Sequence, residues 1–308
     1  MYVLSGLIIN ICLGSIYSYS VLQIHLKKLF ENEYGIKVSA TEMQIPYLIF
    51  LALFSFCMPF AGKLIEKFGP QKIGIIGGIL LSIAWFSASF AKSPLELSII
   101  YGIIGGIAVG TVYNCPLVTV AKWFPDGRGL ALGITLIGFG ISPALISPII
   151  DILTNNYGIK QTLKIMGLAF FIIIPLLASN LRTPSKIIKS ENENGTEKNI
   201  KIKDMIRIPS FYGLWISFAI ANFVGLMAIG ISKPIGIEIA TKSGISEKEI
   251  THILTFLMIP FAISNGLGRP LFGWLTDKLK PQKAATISLL SVLFAVIYIY
   301  FNSNSLFT

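Results

Sequence analysis

Charge is scarce in this chain of 308 residues, of which only 13% are Asp, Glu, Lys or Arg. A soluble domain carries about 25%, so water is not the main solvent of this surface. Cysteine is scarce too. Cys12, Cys57 and Cys115 are the only three, and each falls inside an apolar run. Neither a disulfide framework nor a metal-ligand spacing can be built from them. The two histidines, His25 and His252, sit at the edges of apolar runs without metal-ligand spacing. A His/Glu/Asp metal cluster, a Ser/Lys dyad and a phosphate loop are all missing, which argues against an enzyme and against a cofactor. The N-terminus lacks the basic n-region of a signal peptide, and its apolar run is too long for one. It reads as a first spanning helix.

What the sequence has in abundance is apolar length: 54% of residues are hydrophobic. A hydrocarbon core about 30 Å thick takes roughly 20 apolar residues per helical span. Such runs recur, and they predict an all-α, polytopic membrane helical bundle. Nine spans are expected, over 3–24, 43–65, 73–91, 96–119, 129–153, 162–179, 211–232, 251–268 and 284–302. The net charge of +10 does not point to nucleic acid, because the basic residues sit in short loops between apolar runs. There they act as topogenic signals. With the N-terminus inside, fifteen basic residues lie on the inner side and nine on the outer side. The expected topology is therefore multi-pass in the cell membrane with a cytoplasmic N-terminus.

One polar connection is long, from Asn180 to Ser210. It includes the run Lys189-Ser-Glu-Asn-Glu-Asn-Gly-Thr-Glu-Lys198, which has too little apolar surface to order itself. It divides the chain into an N-terminal six-helix bundle over 1–179, a cytoplasmic linker over 180–210 and a second, partial bundle over 211–308. The sequon Asn194-Gly195-Thr196 lies on the expected inner side, where it would not be glycosylated.

An internal repeat supports the two halves. Gly62-Lys-Leu-Ile-Glu66-Lys-Phe-Gly-Pro-Gln-Lys72 follows the second span. Gly273-Trp-Leu-Thr-Asp277-Lys-Leu-Lys-Pro-Gln-Lys283 follows the eighth. Six of eleven positions are identical, and Glu66 pairs with Asp277. Six spans separate the copies, so the repeating unit is six helices in parallel orientation. Two such units imply twelve helices and about 400 residues. On that arithmetic, helices ten to twelve are expected to be missing, in a truncated chain or a short variant.

The element Gly-x-x-x-Asp/Glu-Lys-x-Gly resembles the loop signature of the major facilitator superfamily. The first copy departs from it with Glu66 for aspartate, and the second with Lys280 for glycine. A narrower resemblance lies in Lys122-Trp123-Phe124-Pro125-Asp126-Gly127-Arg128-Gly129-Leu-Ala-Leu-Gly133, which is similar to the oxalate:formate antiporter family, although Gly127 replaces a basic residue common there. Gly14-Ser-Ile-Tyr17-Ser-Tyr19-Ser-Val and Asn265-Gly-Leu-Gly268-Arg269-Pro-Leu-Phe-Gly273 share that resemblance, and related monocarboxylate carriers share parts of it. The implied fold is the major facilitator fold, with nine of the usual twelve transmembrane helices present. The implied role for an arginine at the position of Arg269 is to bind a dicarboxylate together with a lysine of helix eleven.

Arg269 is informative on physical grounds as well. It lies eight residues from Asp277, or about 12 Å at 1.5 Å per residue, which is near the bilayer midplane. An arginine there costs at least about 2.5–3.5 kcal/mol unless it is paired. The expected spans have no acidic residue near their middle; Glu96 and Asp151 lie near outer ends. The partner is then a substrate carboxylate, which arginine grips in bidentate fashion. The competing explanations are a partner on a further helix, or an arginine that faces the cytoplasm. Asn265 shares the Arg269 face one turn away. Tyr17, Tyr19, Tyr113 and Gln44 are further polar groups within spans, open to roles in a cavity, in helix packing or in an interfacial tyrosine belt. The resemblance implies that Tyr17 and Tyr113 line the cavity.

The expected substrate-binding set is therefore Arg269, Asn265, Tyr17, Tyr113 and Gln44. Glu66, Asp126, Arg128 and Asp277 form the expected cytoplasmic gate. Gly102, Gly106 and Gly110 suggest a rocking contact or simple close packing. The expected activity is transport of small organic anions, carboxylates such as oxalate and formate, by alternating access. Exchange or uniport suits spans without mid-membrane carboxylates. The alternatives are a proton-coupled monocarboxylate carrier and a non-transporting remnant. The expected partners are the anion and the lipid bilayer, with the chain monomeric and no nucleic acid bound.

Overall fold

In hydrocarbon every backbone N–H and C=O must be paired within the chain, which leaves helices as the economical solution for apolar runs of this length. The computed structural model describes residues 1–184, 202–220, 222–223, 225, 247–279 and 281–306, and they hold no strand. The helices are α1 (Tyr2–Leu13), a 3₁₀ stretch (Gly14–Ser18), α2 (Tyr19–Tyr34), α3 (Ala40–Phe68), α4 (Pro70–Ala88), α5 (Pro94–Leu97), a π-helical stretch (Ser98–Ile104), α6 (Gly105–Val112) and α7 (Asn114–Trp123). After them come α8 (Arg128–Tyr157), α9 (Ile159–Ala178), α10 (Ile202–Met205), α11 (Pro209–Ile220), α12 (Glu247–Leu279) and α13 (Pro281–Leu306).

Among the described residues, seven helical runs are long and apolar enough to cross a membrane: Tyr2–Tyr34, Ala40–Phe68, Pro70–Ala88, Pro94–Trp123, Arg128–Tyr157, Ile159–Ala178 and Pro281–Tyr298. They coincide with the first six expected spans and the ninth. The expected seventh span, 211–232, is described only in part; α11 covers its first half, and most of the remainder lies outside the described residues. The expected eighth falls within α12, which runs beyond Gly268 through Arg269 and Asp277 to Leu279. The long polar run 189–198 also lies outside the described residues.

Local sequence explains where the helices start and stop. Ser39 and Glu42 form a capping box at the start of α3, with the Ser39 amide donating to Glu42 Oε2 at 2.7 Å. Gly69 (φ 84°) and Gly158 (φ 77°) each end one helix and start the next. A side chain would be strained at either joint, because L residues rarely adopt positive φ.

Residues 1–183 pack with residues 259–284 in one compact unit, and residues 184–258 with 285–308 form a second. In the first unit α1 lies along α8, α4 along α9, and α3 along α6. A polar ladder links the first span to α8. Asn10 Nδ2 donates to the Thr135 carbonyl at 3.2 Å, Ser142 Oγ to the Ile11 carbonyl at 2.6 Å and Ser147 Oγ to Ser18 Oγ at 3.0 Å. His25 Nε2 and Asp151 Oδ1 meet at 3.3 Å at its far end. Each rung contributes about 0.6 kcal/mol in a membrane setting. Gly102, Gly106 and Gly110 all face α3, where an added Cβ would meet Pro46, Phe50 and Phe54 backbone oxygens at 3.0, 2.6 and 2.7 Å. Both helices belong to the first six spans, so this glycine stripe serves close packing within them. The large exposed side chains are apolar, among them Leu48, Phe56 and Ile172, each at least 60% exposed. Such a surface suits lipid.

Candidate functional site

Two of the expected site residues stand at interruptions in the regular hydrogen bonding of their spans. Tyr17 lies in the 3₁₀ stretch Gly14–Ser18. Gly14 allows the chain there to press on α8, since a Cβ would meet the Phe139 carbonyl oxygen and Ser142 Cβ at 2.6 Å. Tyr113 stands at the junction of α6 and α7. Pro116 explains the break. It has no N–H to give the Val112 carbonyl, and its ring crowds that oxygen. Irregular backbone of this kind at membrane depth is tolerated only where it lines a cavity or is buried in protein.

The two tyrosines converge on one ring. Phe139, on α8, is 2% exposed. Tyr17 packs edge-on to it at 5.1 Å between centroids, and Tyr113 does so at 5.2 Å. Phe54 of α3 closes the group, 5.3 Å from Tyr113 and 6.0 Å from Phe139. Arg269 of α12 sits on this cup, with Cζ 5.7 Å from the Phe139 centroid. The hydroxyls of Tyr17 and Tyr113 are both within side-chain hydrogen-bonding reach of its guanidinium. Among the described residues no carboxylate pairs with Arg269. The cation thus stands against an aromatic face with two tyrosine hydroxyls in reach. Arginine has five N–H donors, so donors remain for a bidentate carboxylate after both tyrosines are served.

The other expected residues are placed as follows. Asn265 is half-buried on α12, where its backbone and that of Gly266 pass against Gly140. Gln44 is engaged elsewhere, with Nε2 donating to Gln23 Oε1 at 2.8 Å. Tyr19 is a buried cross-link, donating to the Met43 carbonyl at 2.6 Å and stacking on Tyr47 at 5.5 Å.

Of the four residues expected at a gate, Asp277 has the clearest role. Its Oδ1 accepts from the Gly129 amide and its Oδ2 from the Leu130 amide, each at 2.8 Å. These are orphan donors at the start of α8, so the carboxylate caps that helix and complements its dipole. Arg128, Asp126 and Glu66 are exposed, and among the described residues none of them makes an ion pair. Glu66 instead lines a cavity of about 230 Å³ with Lys122, Gly69 and Thr183.

Sequence reasoning missed two features. Phe139 gave no signal, being one apolar residue in an apolar helix. The other is the seam between α8 and α12. A Cβ on Gly133 would meet Pro270 Cα at 2.5 Å, one on Gly140 would meet Gly266 Cα at 2.8 Å, and one on Gly129 would meet the Gly273 carbonyl. The glycines of the fifth expected span thus let α12 lie directly on α8 and bring Arg269 to the cup.

The family model of the Major Facilitator Superfamily matches residues 2–307. The oxalate:formate antiporter of Oxalobacter formigenes is 28% identical over 250 residues, which are 81% of this chain and 58% of the antiporter. An uncharacterised MFS-type transporter of Escherichia coli, YhjX, is 27% identical over 91% of this chain and 67% of its own length. Monocarboxylate transporter 14 of Mus musculus is 28% identical over 54% of this chain and 32% of its own length. The chain therefore spans between about a third and two thirds of the length of these relatives.

Proposed function

The chain belongs to the major facilitator superfamily, and from that premise we propose that it carries small organic anions across a membrane by alternating access, with Arg269 gripping a substrate carboxylate. The observation that carries the reading is the Arg269 guanidinium on its cup of Phe139, Tyr17 and Tyr113, with no carboxylate among the described residues beside it. A cation in that setting favours an anion that brings its own negative charge. The two hydroxyls can accept from the guanidinium while donating their protons to the bound carboxylate. Oxalate and formate are the first substrates to test, given the similarity to the antiporter. The Asp277 cap lies at the inner end in the topology set by the basic loops, where it closes the path to the cytoplasm, and the glycine seam runs from it to the level of Arg269. Spans without mid-membrane carboxylates suit exchange or uniport.

The test is anion binding to the purified chain in detergent or liposomes, with radiolabelled oxalate and formate. Losing one partner of a desolvated charge pair costs about 2–5 kcal/mol, and 1.4 kcal/mol is tenfold. Arg269→Ala should weaken binding roughly 30- to 3,000-fold while the protein still inserts. Arg269→Lys should restore only part, since lysine lacks the planar fork. Wild-type binding and transport by Arg269→Ala would remove Arg269 from the site. The similarity to monocarboxylate transporters supports a second reading, proton-coupled monocarboxylate carriage. Uptake that follows an imposed pH gradient would favour it over exchange.

A further inference from the structure

We infer that Phe139 is the positioning residue of the site: its ring face holds the Arg269 guanidinium at the depth and angle from which it captures the anion. The inference rests on the proposed carrier function for its second half and on geometry alone for its first. Three observations converge on this one ring. Arg269 Cζ lies 5.7 Å from its centroid, within the roughly 6 Å at which the ring quadrupole attracts a cation. Tyr17 and Tyr113, which carry the two hydroxyls beside the guanidinium, both pack edge-on to the same ring. Phe139 is 2% exposed, so water does not screen the contact.

An arginine side chain has about four rotatable bonds and would sweep a wide volume if only its charge were held. The ring lies against it, and two hydroxyls are within reach. Donors are left over once both hydroxyls are served. That arrangement presents a fixed fork to a carboxylate, and less rotamer freedom is lost when the anion binds. An aromatic face serves this purpose better than a carboxylate would. It stabilises the cation without neutralising it, so the charge remains available to substrate.

The electrostatic part can be varied with almost no change of shape. Phe139 is replaced in the full chain by phenylalanines bearing one, two and three ring fluorines, which progressively drain the ring face of negative potential. Thermal unfolding of the ligand-free protein is followed by a thiol-reactive dye, with Cys12 and Cys115 as buried reporters. The melting temperature should fall stepwise along the series, and the trend should vanish in an Arg269→Met background. Binding of labelled oxalate and formate should weaken in the same order, by roughly 2- to 30-fold for the trifluorinated ring.

A flat melting series, or a trend that persists without Arg269, would overturn the contact. A melting trend with unchanged anion affinity would overturn the positioning role. The two readings fail separately. Anion binding that survives Arg269→Ala sinks the proposed site and leaves the ligand-free melting trend intact. A flat fluorine series with Arg269 still essential sinks only the role of Phe139.

Discussion

Replacing Gly133 with alanine tests the seam on which the site depends. The added Cβ would stand 2.5 Å from Pro270 Cα, 2.8 Å from Pro270 N and 2.6 Å from the Arg269 carbonyl oxygen. All three are backbone atoms, so no rotamer change can relieve the contact. Carbon atoms settle at about 3.5–4.0 Å, so α12 must retreat from α8 by roughly 1 Å or more. Overpacking of this kind costs typically about 1–3 kcal/mol. At roughly 2–4 °C per kcal/mol for a unit of about 200 residues, the melting temperature should fall by about 2–12 °C. Arg269 moves with its own backbone, so anion binding should weaken as well. Gly268→Ala is the matched control. It changes the residue next to Arg269 on the same helix, yet nothing lies within 4 Å of its Cβ. That variant should melt at or slightly above wild type, because alanine is the better helix former by about 1 kcal/mol. The thiol-dye melting assay compares both. If Gly133→Ala melts like wild type, or if Gly268→Ala is the one that falls, α12 does not lie on α8 as described.

Asp277→Ala should remove both acceptors at the start of α8 and cost about 0.5–2 kcal/mol, read as a lower melting temperature. Asp277→Asn should recover part of that loss, since it keeps one oxygen acceptor without the charge. For topology, a cysteine placed in the 189–198 run should react with an impermeant maleimide only from the cytoplasmic side, and one near Ser243 only from outside. Labelling of both from a single side would refute the nine-span topology, and reversed labelling would refute the orientation.

The helical class, seven of the spans and the candidate arginine were already legible in the sequence, and the reasons are local. An apolar run long enough to cross hydrocarbon must close its hydrogen bonds within itself, so its length alone identifies it. Arg269 stood out because a mid-membrane cation is costly whatever surrounds it. The pairing of Glu66 with Asp277 showed a repeat but not a function. Only tertiary structure distinguishes Asp277, which caps α8, from Glu66, which lines a small cavity. In the same way Gln44 and Tyr113 look alike as polar residues within spans. Gln44 turns to Gln23, while Tyr113 packs on Phe139, the ring that Arg269 sits over. The glycines of the fourth span and those of α8 have the same spacing logic, yet one set packs against α3 and the other admits α12. Phe139 was beyond sequence reasoning altogether. In a helix that is apolar on every side, periodicity does not say which ring meets the cation, and only the packing of α8 against α12 decides it.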